Sequence, residues 1–171
     1  MLKLNKPKTR GFSLVELVIV VVIIGVIAAI AVPRISRGAK GAGESALRGS
    51  LAALRNAIDM YAAEHNGAWP GADDSETTLI DQLTKNTNAG GAVGTGVNYP
   101  FGPYLRRGFP PIPVGPNASK ATGVIMADNT SYPTAVDDSS ATDGWVYNNE
   151  SGEIKANTDD TDEASVGYDT Y

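Results

Sequence analysis

The 171-residue chain has no cysteine and a single histidine, His65. The first absence rules out disulfides, thiolate metal sites, a lipobox and a cysteine nucleophile. With one imidazole as well, most nucleophile-and-base arrangements are unavailable. Any loop-rich domain must therefore be held by packing, hydrogen bonds or a cation. His65, in AAEHNG, is read as a partner for the C-terminal end of a helix dipole rather than as a catalytic base. Basic charge is scarce in the second part of the chain, where residues 56–171 hold five basic residues against seventeen acidic, a formal −12. Nucleic acid is an unsuitable partner for so acidic a region.

The remaining charge is segregated. Lys3, Lys6, Lys8 and Arg10 give residues 1–11 a formal +4, and residues 34–55 also reach +4, so the net −5 conceals a strong asymmetry. Between these basic stretches lies FSLVELVIVVVIIGVIAAIAV, Phe12–Val32, with Glu16 as its one charged residue. At a rise of about 1.5 Å per residue this run is just long enough to cross a hydrocarbon core of about 30 Å. A basic arm before it and an acidic domain after it place the N-terminus at the cytoplasmic face and the rest outside.

Three readings of the apolar run stay open on these features. It is a signal peptide removed after Ala29-Ile30-Ala31, a plain membrane anchor, or a helix kept after cleavage at Gly11–Phe12.

After Pro33 the pattern becomes amphipathic. Leu47, Leu51, Leu54, Ile58 and Tyr61 recur at helical spacing, and Asn66-Gly67 followed by Pro70 predicts the stop. One helix is expected from Phe12 to about Glu64, with Gly25 and Pro33 as its points of flexibility. A second short helix is expected around Glu76–Lys85. NAGGAVGTGVN lacks the features of a phosphate-cradling loop and reads as a flexible or tightly turning one. YPFGPYLRRGFPPIPVGPN suits an ordered extended segment laid over a sheet, with Arg106-Arg107 solvated or at an intersubunit contact. Strands are expected at Gly123–Asp128 and in a hairpin whose arms, Trp145–Asn148 and Glu153–Ala156, flank Asn149-Glu150-Ser151-Gly152. The fold class is α+β: a long N-terminal helix, half in the membrane and half amphipathic, packed on a small C-terminal antiparallel sheet.

KTRGFSLVELVIVVVIIGVIAAIAVPRI resembles the N-terminus of the type IV pilin and type II secretion pseudopilin superfamily, in which a leader ending in glycine precedes Phe-Thr/Ser-Leu-x-Glu-Leu and a hydrophobic helix. Gly11, Phe12, Ser13, Leu14, Glu16 and Leu17 match that pattern. The Gly144-Trp145-Val146-Tyr147-Asn148 and Gly152-Glu153-Ile154 segments also resemble the closing hairpin of pseudopilin-like proteins. The resemblance implies a leader over residues 1–11, a transmembrane and polymerisation helix over 12–33, an amphipathic helix over 34–66 and a loop-rich β domain over 67–171. It further implies cleavage after Gly11 and methylation of Phe12 by a prepilin peptidase, with the chain in the bacterial inner membrane and its domain extracytoplasmic. An inner-membrane assembly platform, membrane lipid and other copies of the chain would be its partners. A carboxylate in hydrocarbon costs on the order of 3 kcal/mol, and the new amine of Phe12 on a neighbouring subunit would be the partner for Glu16.

The expected function is that of a fibre subunit, a type II secretion pseudopilin, with no reaction of its own. The alternatives are a monomeric membrane-tethered binding protein and a type IV pilin for adhesion or DNA uptake. No cofactor is required. Calcium is a candidate ligand of the acidic loops, at Asp137, Asp138 and Asp143, with a second acidic run at Asp159–Glu163. Tyr99-Pro100-Phe101-Gly102 stands at a place loosely similar to the Asp-Pro-Trp-Gly segment of the major pseudopilins.

Overall fold

A computed structural model describes residues 11–127 and 142–171. Asp137 and Asp138 lie outside the described residues, as do residues 1–10 of the expected leader. The chain divides into two compact units, Met1–Ala39 and Lys40–Tyr171. A single helix, α1 (Leu14–Glu64), supplies the described core of the first and the first element of the second. It is unbroken through Gly25 and Pro33, the two positions expected to loosen it.

In the second unit α1 ends where Asn66-Gly67 predicts. Asn66 takes φ 55°, and the Gly67 N–H donates to the Ala62 carbonyl at 2.8 Å, satisfying one of the helix's orphan carbonyls from just past its end. The second helix, α2 (Glu76–Thr84), opens on Ser75, whose Oγ accepts the Thr78 N–H, and Glu76 sits in the first turn where the helix dipole favours an acid. Its Leu79 and Leu83 are fully buried.

Three strands form one sheet in the order β1 (Gly123–Ala127), β2 (Asp143–Asn148), β3 (Glu153–Ala156). The hairpin register is the expected one, with Asn148 opposite Glu153 and Trp145 opposite Ala156. Asn148 stabilises the turn by accepting the Glu150 and Ser151 N–H groups on its side-chain oxygen. The sheet is mixed, however, and this corrects the antiparallel expectation: β1 runs parallel to β2, with Val124 beside Trp145 and Ala127 beside Asn148. A parallel pair requires a crossover of about a dozen residues or more, and residues 128–142 separate the two strands in the sequence.

The core is the α1 stripe covered by the sheet and α2. Leu47, Leu51, Leu54, Ile58 and Tyr61 cluster with Trp145, Tyr147, Ile154 and Ala156. Two inward aromatics carry their polar atoms to carbonyls: Trp145 Nε1–H donates to Pro110 O at 2.8 Å, and the Tyr147 hydroxyl donates to Pro70 O at 3.1 Å. The proline-rich segment forms no strand. It lies ordered against the start of β2 through buried Ile112, which exchanges backbone hydrogen bonds with Ala121 and Ser119. The glycine-rich loop turns tightly. Asn88 Oδ1 accepts the Gly90 and Ala92 N–H groups, and Gly94 lies so close to the Tyr99 ring that a side chain there would collide with it.

The chain from Thr161 returns to α1. Tyr168, in a single 3-10 turn, is buried and donates to Glu44 at 3.3 Å. Arg48 lies over the Tyr171 ring, 4.7 Å from its centroid, and Arg55 donates to the Tyr171 backbone oxygen. Burial, then the Glu44 carboxylate, pushes the Tyr168 hydroxyl from its usual 10.0 up to about 12. Burial also raises Tyr61, Tyr104 and Tyr147. A folded-state value above the unfolded one means stability fully present below pH 10 and lost as pH rises through the folded value. Melting curves of a Lys40–Tyr171 fragment should therefore fall steeply between about pH 10 and pH 12, and Tyr168→Phe should make that fall shallower. Identical alkaline slopes for the two proteins would contradict this placement of Tyr168.

Candidate functional site: the apolar helix and its start

From Leu17 to Val32 the described part of the first unit presents an uninterrupted apolar surface. Every large side chain in this stretch is exposed, between 45% for Val20 and 64% for Val32, in a helix long and apolar enough to cross a membrane by length and composition. No neighbouring atom approaches Gly25, and Pro33 is accommodated inside the helix. Without partners among the described residues of its unit, such a surface demands lipid or other apolar helices.

Gly11, Phe12 and Ser13 precede the helix in non-helical conformation, and Phe12 is 80% exposed. The scissile bond expected between Gly11 and Phe12 thus lies in exposed, non-helical chain. Glu16 stands in the first turn, and its Oε2 accepts the Ser13 N–H at 2.9 Å. Ser13-Leu14-Val15-Glu16 is therefore one arm of a capping box, in which the acid at the third helical position satisfies the backbone donor of the cap residue. The sequence signal for this, Ser-x-x-Glu ahead of an apolar run, was available and points to the same residue as the lipid-cost argument. Within one chain Glu16 is consequently neither wet by necessity nor idle.

Of the acidic candidates, Asp143 and the Asp159–Glu163 run lie among the described residues. Among the described residues no cluster of three metal-ligating side chains occurs. Asp143 opens β2, where Thr142 Oγ1 donates to it at 3.3 Å. In the second run Asp162 is tied up in its own loop: it accepts the Tyr171 hydroxyl at 2.6 Å and the Ala164 and Val166 N–H groups, and these bonds, the tyrosine's foremost, hold its carboxyl below the usual range. Asp159, Asp160 and Glu163 are exposed.

His65 does meet a helix-end carbonyl, as expected, with Nδ1 2.8 Å from Tyr61 O. Its fuller role was not visible in the sequence. The ring is 4% exposed, stacks on Tyr61 at 3.8 Å, meets the edge of Phe101, and sets Nε2 3.0 Å from Thr87 Oγ1. It joins the end of α1 to the loop beyond α2.

Residues 6–32 match the family model of the prokaryotic N-terminal methylation motif. No curated protein and no solved structure matches the chain. The match covers Lys6, Lys8 and Arg10 of the basic arm, the Gly11–Phe12 junction, Glu16 and the apolar helix, and supports a type IV pilin-like subunit anchored by one N-terminal helix.

Proposed function

We propose that the chain is a fibre subunit of the pilin-like class, and within it a type II secretion pseudopilin, released from its leader after Gly11, methylated at Phe12 and polymerised from the inner membrane through its apolar helix. The observation that carries this reading is the coincidence of the methylation motif over residues 6–32 with a helix whose apolar side chains are exposed from Leu17 to Val32. Cleavage creates a charged amine next to a carboxylate already positioned at the first turn, and in a bundle of such helices the amine of one subunit reaches Glu16 of the next. The globular domain, acidic and disulfide-free, stands on the extracytoplasmic side, and the chain's work is mechanical. The resemblance of the Gly144–Asn148 and Gly152–Ile154 segments to the closing hairpin of pseudopilin-like proteins favours the secretion-type subunit over an adhesive pilin.

Mass spectrometry of the mature protein should show a start at Phe12 with one added methyl group. A start at Val32, after Ala29-Ile30-Ala31, would remove the helix and with it this function.

A further inference from the structure

On one flank of α1 in the second unit the side chains shrink to Ala46, Gly49, Ser50 and Ala53, and the loop carrying Arg106 and Arg107 stands over them. The two enclose an open, mainly apolar groove of about 650 Å³. Both arginines are exposed, and among the described residues the ion pairs are Lys85–Asp81 and Lys155–Glu153, so neither arginine is engaged. They are two of only five basic residues in a stretch with seventeen acidic ones.

The complement to this groove lies on the same chain but on the other flank. At about 100° per residue, the α1 side chains that hold the C-terminal segment, Glu44, Arg48 and Arg55, face about half a turn away from Ala46, Gly49, Ser50 and Ala53. That segment displays Asp159, Asp160 and Glu163, with exposed Ala164 and Val166 beside them, on a loop stiffened by Asp162. A positive rim with a shallow apolar floor on one side thus answers an acidic loop with small apolar side chains on the other.

We propose that the groove receives the Asp159–Val166 loop of a second copy of the chain, with Arg106 and Arg107 against Asp159, Asp160 and Glu163 and the small apolar residues on the groove floor. Because donor and acceptor surfaces occupy opposite flanks, the contact is head-to-tail, and repeating it adds further copies instead of closing a two-fold dimer. The proposal rests on the fibre reading for its setting, and supplies a lateral contact between globular domains in addition to the apolar helices. Charges arranged this way act chiefly on partner choice and register.

The test uses the full chain, which has no native cysteine. Two tagged copies, one with Ala53→Cys and one with Ala164→Cys, are expressed in the same membrane and cross-linked. Mixed 53–164 dimers are expected, without 53–53 or 164–164 products. Arg106→Glu with Arg107→Glu should lower the mixed yield at least about fivefold through like-charge contact, and a partner with Asp159→Lys and Asp160→Lys should restore it. Val22→Cys pairs report the apolar-helix contact in parallel. Mixed yields no higher than same-site yields, or indifferent to the Glu substitutions, would overturn the groove contact even with Val22 dimers intact. Vesicles containing phosphatidylglycerol that depend on Arg106 and Arg107, with 53–164 yields unchanged by the Glu substitutions, would assign the groove to lipid and likewise overturn it. Loss of Val22 dimers with 53–164 dimers retained would uphold the groove contact and sink the fibre reading instead.

Discussion

Glu16→Ala should leave the chain processed and inserted in the membrane but abolish fibres. Removing a carboxylate from the lipid boundary lowers the insertion cost, and cleavage at Gly11 lies upstream of the change. Each incoming Phe12 amine then enters an apolar bundle without a counter-charge, which in buried settings costs roughly 3–5 kcal/mol, or a ~10²–10⁴-fold loss in association. The alanine also removes the acceptor for the Ser13 N–H, so it alone does not separate the two roles of Glu16. Glu16→Gln does, because glutamine completes a capping box as glutamate does while carrying no charge. If charge pairing drives assembly, Gln fails along with Ala, whereas Asp, charged but shorter, assembles partially. Normal fibres from Glu16→Gln would show that the helix cap is the whole of its role.

The largest effect on stability is expected at Trp145. Its ring is fully buried between β2 and the α1 stripe, and its Nε1–H is the donor for Pro110 O. Trp145→Ala deletes a large side chain from a close-packed core at a cost of about 3–5 kcal/mol, and leaves a partly buried carbonyl short of a donor. Against a total of about 5–15 kcal/mol for an ordinary domain, this should lower the melting temperature of a Lys40–Tyr171 fragment by roughly 10–20 °C. Val146→Ala, on the neighbouring residue but outside the core cluster, should cost clearly less. Equal melting temperatures for wild type and Trp145→Ala would mean that the hairpin is peripheral to the fold.

The elements that could be read from sequence are those whose causes are local. The α1 stripe announces itself by spacing, the Asn66-Gly67 stop by residue types that tolerate positive φ, and the hairpin by polar turn residues between two apolar arms. What was hidden depends on residues distant in the chain. The parallel pairing of β1 with β2 has no turn signature because its connection is long. The surroundings of His65 come from Thr87, Asn88 and Phe101, and the groove joins Ala46–Ala53 to a loop more than fifty residues later. Glu16 was located by its cost in lipid, while the bond it makes within its own first turn follows from a spacing of three that the same residues display.

The attachment of the Tyr168–Tyr171 segment to α1 determines how the domain would carry load. Its three points on the helix, Glu44, Arg48 and Arg55, are spread over about 16 Å of axis. Tension along α1 would therefore strain these contacts side by side, in shear, so that they yield together rather than one after another. The sheet's last strand, β3, is tied to the same helix, since Arg55 also donates to Ile154 O at 3.3 Å. A domain tied in this way resists peeling from its edge, and its weakest direction is a pull perpendicular to the helix, which would open the Tyr171 contacts singly.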